Sequence, residues 1–348
     1  MKSAIYTKAG QVGLTELNMP NIQAADDVVI RVVRSCVCGS DLWRYRDENA
    51  SMEGASNSGH EIIGIVEEVG SAINTVKKGD FVIAPFTHGC GHCAACQNGF
   101  EAGCQSHDSS SNYSHGYQAE YVRYPHGDWA LVKVPGQPGD YSEGMIKSFL
   151  ALADVMPTGY HAARVANVQK GDTVVVVGDG AVGLCAVIAA KLRGAKRIIM
   201  MSRHEDRQKL ALEFGATDIV AERGEEGIAK VRALTGGSGV DAALECVGTH
   251  LAMETAIQVC RPGAHIGRVG LPHNNDIDMA DYFGLNLTFA GGPASVTTYV
   301  KGGLLQAVLN GEINPGKVFT SSYPLAEIDQ AYKDMDKRKT IKSMLVLD

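Results

Sequence analysis

The run Val174 to Leu184, VVVVGDGAVGL, narrows the possible folds more than any other part of this sequence. Four consecutive valines ask for a buried strand, because β-branched side chains pack well on a pleated surface. The glycines that follow, Gly178, Gly180 and Gly183, form a G-x-G-x-x-G that opens a helix. In a dinucleotide-binding turn the first glycine permits the tight bend, the second lets the backbone approach a pyrophosphate, and the third lets helix and sheet pack closely. Ala181 and Val182 would then sit in the first helical turn, whose free N–H groups favour phosphate. The motif alone can be a purely structural corner, so its surroundings decide.

Those surroundings alternate between strand and helix. Strands are expected at Thr173–Val177, Arg197–Met201, Asp218–Ala221, Asp241–Cys246, His265–Val269 and Asn286–Ala290. Between them lie helical segments such as Glu205–Phe214 and Glu225–Leu234, with Gly215 and Gly236 where helix ends favour glycine. Parallel strands need crossovers, and helices supply them. The first 150 residues read differently, as short β segments broken by glycine: Asp26–Val37, Glu61–Gly70 and Asp80–Phe86, then a helix near Ser142–Leu152. A length of 348 residues accommodates two such domains.

A net charge of −7 without a long Lys/Arg cluster argues against general nucleic-acid or anionic-membrane binding. The apolar run Val174 to Ala190 is too interrupted by glycine and Asp179 to read as a membrane span. The first residues lack the apolar core of a secretion signal, so a cytoplasmic location is expected.

About twenty residues beyond the glycine turn, NAD-binding folds carry an acid that accepts the adenosine ribose hydroxyls. Here the second strand ends in Ser202-Arg203-His204, with Glu205 and Asp206 only after it. Ser202 and Arg203 can donate to a 2′-phosphate, and Arg207 can share that face of the helix start. NADP(H) is therefore expected in preference to NAD(H). The competing view, that these are solvated surface residues, applies to most single arginines.

Cysteine usage adds metal. Cys90, Cys93, Cys96 and Cys104 lie in one glycine-rich loop, and four thiolates at such spacing can close a tetrahedron around zinc. Four exposed reduced thiols or an iron–sulfur cluster are the alternatives. Cys38 in CVCGSD and His60 in SGHE are each weak signals alone.

Together these features resemble the zinc-dependent medium-chain alcohol dehydrogenases, over essentially the whole chain. The matching motifs are CGSD (Cys38–Asp41), GHE (Gly59–Glu61), the four-cysteine lobe, ADVMPTGYHA (Ala153–Ala162), GDGAVG (Gly178–Gly183) and KTIKSMLVL (Lys339–Leu347). The resemblance implies an α/β architecture, a GroES-like β-rich catalytic domain plus a Rossmann-type doubly wound parallel sheet. It places the catalytic domain at 1–154 with a structural zinc lobe at about 88–106, the nucleotide domain at 155–292, and a returning segment at 293–348. It implies two zinc ions per chain. Cys38, His60 and Asp154 would hold the catalytic ion, and the four lobe cysteines the structural one.

By the same resemblance, Glu61 is the carboxylate that can approach the metal, and Asp41 the acid that orients His60. Ser40 takes the alcohol's proton, Thr158 packs near the nicotinamide, and Lys342 reaches the cofactor phosphates. Trp43 stands where relatives often carry a relay histidine, and indole cannot accept a proton. Pocket residues are expected after Cys38, around Asn49–Ser58 and near Gly284–Ala294. The substrate would be a small alcohol or carbonyl compound, and a homodimer or homotetramer is implied. Two other readings share the fold: an NAD-dependent polyol or amino-alcohol (sorbitol- or threonine-type) dehydrogenase, and a zinc-free enone or quinone reductase, against which the metal ligands speak. A non-catalytic binding protein using the lobe would want a basic face there, but Cys90–Cys104 holds no Lys or Arg.

Overall fold

The computed structural model describes residues 1–48, 58–106, 116–273 and 279–347. The loop 49–57, part of the expected substrate pocket, lies outside the described residues. The chain divides into two compact units, Met1–Asp154 with Ser295–Asp348, and Val155–Ala294. Among the described residues no helix is long and apolar enough to cross a membrane.

The second unit is built on a six-stranded sheet, parallel throughout. Its strands, in chain order, are Thr173–Val177, Arg197–Met201, Asp218–Val220, Val240–Glu245, Cys260–Arg268 and Thr288–Gly291. Across the sheet they run third, second, first, fourth, fifth, sixth. That order reverses between Thr173–Val177 and Val240–Glu245, the place where sheets of this kind bind ligands at their strands' carboxyl ends. Val175, Ile199, Ala243 and Ile266 fill the core beneath it. Two helices beside this sheet pack closely on one another. A Cβ on Gly159 would come within 2.5 Å of the Ala186 nitrogen, so helix Val155–Val165 meets helix Ala181–Leu192 backbone to backbone.

Two features of this sheet differ from expectation. The fifth strand begins at Cys260, not His265, running through Pro262 and Gly263. A shift of register between Val240 and Ala242 absorbs the irregularity, which the Pro-Gly pair had suggested as a break. The sixth begins at Thr288, because Asn286 takes a left-handed turn (φ 52°) before it.

The first unit carries a seven-stranded sheet and an N-terminal hairpin, Lys2–Lys8 with Gln11–Glu16. Strand Val28–Cys36 lies at the centre of the sheet and pairs antiparallel with Ile62–Val69, Tyr121–Tyr124 and Lys342–Val346. Its inner face packs Ile30 and Val32 against Ile62, Val66, Val82 and Tyr124. Each such side chain, fully buried, contributes about 1.5–3 kcal/mol. The registers matter most for function. Ser35 pairs with Ile62, so the chain leaving one strand at Cys38 meets the chain entering the next from His60 and Glu61. Met344 pairs with Cys36, which brings Lys342 to the same corner. Finally Phe86 donates its N–H to the Ala153 carbonyl at 3.1 Å, drawing Asp154 in.

Candidate metal centres and nucleotide turn

Cys38, His60, Glu61 and Asp154 converge at that corner, with one ligand atom from each within 4.8 Å of all the others. Cys38 Sγ is 3.6 Å from Asp154 Oδ2, and His60 Nε2 is 3.4 Å from the same oxygen. Asp41 fixes two of these residues at once. Its Oδ2 accepts the Cys38 N–H at 2.8 Å, and its Oδ1 lies 3.4 Å from His60 Nδ1, leaving Nε2 turned to the cluster. Phe86 packs edge-on against the imidazole. Burial raises the Cys38 thiol and the Glu61 carboxyl above their ordinary values; Lys342 opposes this in both, and Asp154 adds to it. Sulfur, imidazole and carboxylate gathered away from water are the donor set zinc favours, and Glu61 Oε2 is buried without a hydrogen-bond partner among the described residues. The residues fit a divalent cation.

Lys342 requires a correction. Expected to reach cofactor phosphates, it is only 1% exposed, and its Nζ pairs with Glu61 Oε1 at 2.7 Å and donates to the Val37 carbonyl at 3.2 Å. Its ammonium is committed to the carboxylate beside Cys38 and His60, because strand register carries it there.

Behind the cluster lies a polar network that sequence reasoning missed. Gln118 donates through Nε2 to the Cys36 carbonyl at 2.8 Å and accepts from the Tyr332 hydroxyl at 3.0 Å. Tyr332 in turn lies 3.3 Å from the Tyr6 hydroxyl, which donates to the Asp41 carbonyl at 3.2 Å. Gly59, at φ 81°, leaves the room Gln118 needs, since a Cβ there would come within 2.4 Å of its Cγ. No motif joins residues so far apart in the chain. Ser40 precedes the short helix Asp41–Arg46, and Trp43 on that helix is 39% exposed.

The second cluster holds Cys90, Cys93, Cys96 and Cys104. Tetrahedral zinc with Zn–S bonds of about 2.3 Å sets its sulfurs about 3.8 Å apart. Cys93 Sγ lies 3.5 Å from Cys96 Sγ and 3.9 Å from Cys104 Sγ, near that edge length and far beyond a disulfide bond of about 2.0 Å. Backbone N–H groups of Cys90, Cys93 and Gln105 point at the sulfurs. Hydrogen bonds from the Cys96 and Gln105 backbones hold the Cys93 thiol down to about 6, which favours the metal-binding thiolate. The lobe is anchored within its own unit by Glu101, whose carboxylate accepts from Thr298 N and Oγ1, both at 2.9 Å.

In the other unit the glycine turn has the shape a dinucleotide needs. Gly178 takes φ 113°, and a Cβ on Gly183 would lie 1.7 Å from the Gly178 carbonyl oxygen. A Cβ on Gly180 would project into open space, leaving a cradle at the start of helix Ala181–Leu192, where Val182 also sits. Thr158 is buried beside Gly159, on the helix that crosses this one.

The second-strand end departs from expectation. Ser202 Oγ donates to Asp179 Oδ2 at 2.8 Å, and Arg207 Nη1 donates to Asp179 Oδ1 and to its carbonyl, both at 3.2 Å. Two of the three groups assigned to a 2′-phosphate are thus bonded to a carboxylate from the glycine turn itself. An acid inside the motif, 28 residues before an arginine, was the available signal. Arg203 is exposed.

With this geometry in view, known proteins sharpen the assignment. A family profile for the alcohol dehydrogenase GroES-like domain matches residues 24–136, and one for zinc-binding dehydrogenases matches 181–299. A zinc-type alcohol dehydrogenase from Aspergillus flavus is 34% identical, across 98% of this chain and 80% of its own length. The chain belongs to the zinc-dependent medium-chain alcohol dehydrogenases. The fold agrees. A zinc-dependent alcohol dehydrogenase from Streptococcus pneumonia superposes with a TM-score of 0.90 at 30% identity, covering 100% of this chain and 99% of its own. An alcohol dehydrogenase from Thermus sp. ATN1 gives 0.88 at 29% identity, with both chains fully covered. Alcohol dehydrogenase chemistry on a small-molecule substrate is therefore the family's activity here, within an α/β fold of GroES-like and Rossmann-type parts.

Proposed function

We propose that this alcohol dehydrogenase is zinc-dependent, holds two zinc ions per chain, and exchanges a hydride between an alcohol, or the corresponding aldehyde or ketone, and NADP(H). The observation that carries the metal part is the convergence of Cys38, His60 and Asp154 donors in one buried corner. One thiolate and one carboxylate balance the charge of Zn²⁺ and leave a fourth position open. When bound, the ion supplies Lewis acidity that stabilises negative charge on the substrate oxygen. Asp41 orients His60, and the Lys342–Glu61 pair keeps a second carboxylate neutralised beside the ligands. Ser40 Oγ takes the alcohol's proton and passes it outward. The four lobe cysteines fill every position of their site, so that ion is structural.

The nucleotide part rests on the glycine turn and on Arg203. Ala181, Val182 and Gly183 present helix-start N–H groups to the pyrophosphate. Arg203, exposed and without an ion pair among the described residues, pairs with a 2′-phosphate. Fluorescence titration of the protein with NADPH and NADH, side by side, tests this. NADPH is expected to bind more tightly, and Arg203→Ala to lose about tenfold or more of that affinity while NADH is unaffected. Equal or tighter NADH binding would refute the NADP preference. One observation favours the NAD-linked polyol or amino-alcohol alternative: Asp179 places a carboxylate at the second-strand end.

A further inference from the structure

Asp179 sits between the first two glycines of the turn, yet its side chain reaches the end of strand Arg197–Met201. Ser202 is pinned there through its own N–H, which donates to the Val220 carbonyl at 2.9 Å, and its hydroxyl points at Asp179 Oδ2. Asp179, Ser202 and Arg207 are all buried, so their bonds are shielded from water. The place where a dinucleotide fold normally keeps its ribose-binding acid thus holds a carboxylate after all, delivered from the turn that follows the neighbouring strand Thr173–Val177.

The charge logic follows from chemistry. A carboxylate accepts hydrogen bonds from neutral ribose hydroxyls and repels a 2′-phosphate. Arg207 neutralises it only partly. One nitrogen, Nη1, makes both bonds at 3.2 Å, longer than the 2.7–2.9 Å of strong charge-assisted pairs. Ser202, whose single proton is used by Asp179, can donate to a phosphate only by giving that bond up.

We propose that Asp179 is a selectivity-determining residue: its carboxylate replaces the acid missing from the second strand, withholds Ser202 and Arg207 from a 2′-phosphate, and narrows the NADP preference that Arg203 confers. The proposal rests on the dinucleotide reading above. It makes the wild-type protein able to bind both nucleotides, with a modest bias.

The test is a set of equilibrium fluorescence titrations with NADPH and NADH on the wild-type protein and on Asp179→Asn, which keeps shape and removes charge. Asp179→Ser serves as a second variant in case the amide disturbs the turn. Loss of the charge is expected to raise the NADPH-to-NADH affinity ratio by about tenfold or more, through tighter NADPH and weaker NADH. If either folded variant binds both nucleotides with the wild-type ratio, Asp179 is only a clip for the turn and the proposal is overturned, while an NADPH loss in Arg203→Ala would leave the 2′-phosphate reading standing. If the wild-type protein binds neither nucleotide, the dinucleotide reading itself fails and takes the proposal with it.

Discussion

Cys38→Ser is expected to lower the rate of alcohol oxidation by about a thousandfold while NADPH still binds with wild-type affinity. A serine hydroxyl does not ionise at neutral pH, so the corner would keep only His60 and Asp154 as close donors, with Glu61 tied to Lys342. Loss of Lewis acidity worth several kcal/mol translates, at about 1.4 kcal/mol per tenfold, into a deficit of that size. The glycine turn belongs to the other compact unit, which is why nucleotide affinity is the control. Steady-state kinetics beside fluorescence titration give both readouts. A variant with more than about a tenth of wild-type activity would remove Cys38 from the ligand set.

Lys342→Met is expected to cost about 3–5 kcal/mol of stability. The ammonium and the Glu61 carboxylate are 1% and 0% exposed at 2.7 Å separation, and removing one partner strands the other charge away from water. Surface pairs behave differently, since solvent replaces the lost partner and the change stays within about 1 kcal/mol. The measurement is urea unfolding, read from the midpoint at unchanged slope. Combining Lys342→Met with Glu61→Gln should recover part of the loss, because the stranded charge is then gone. A single-variant loss under about 1 kcal/mol would mean that the pair is not buried in solution.

These expectations show where sequence was informative. Strands Thr173–Val177 and Arg197–Met201 were legible to the residue, since β-branched or apolar runs bounded by glycine, charge and serine leave little choice. Helix Glu205–Phe214 was equally plain, closed by Gly215 in the left-handed conformation at φ 117°. Local chemistry also marked the four-cysteine lobe. What stayed hidden depends on register between distant segments. KSMLV reads as a strand, but only its pairing with Val28–Cys36, some 300 positions earlier, turns Lys342 toward Glu61. Likewise, no local pattern tells that Asp179 reaches Ser202, because a loop side chain is aimed by the turn around it. The Gln118–Tyr332–Tyr6 network is hidden for the same reason.

Zinc content measured together with activity, on the purified protein and during chelation, decides whether the Cys38 corner binds a catalytic metal. Two zinc ions per chain are expected. The one at Cys38, His60 and Asp154, with its open position, should leave first and take alcohol oxidation with it, and added zinc should restore the rate. The ion in the closed four-cysteine lobe should leave later, accompanied by loss of stability. Full activity in protein stripped of zinc would rule out zinc-dependent chemistry and point to a zinc-free reductase on the same fold.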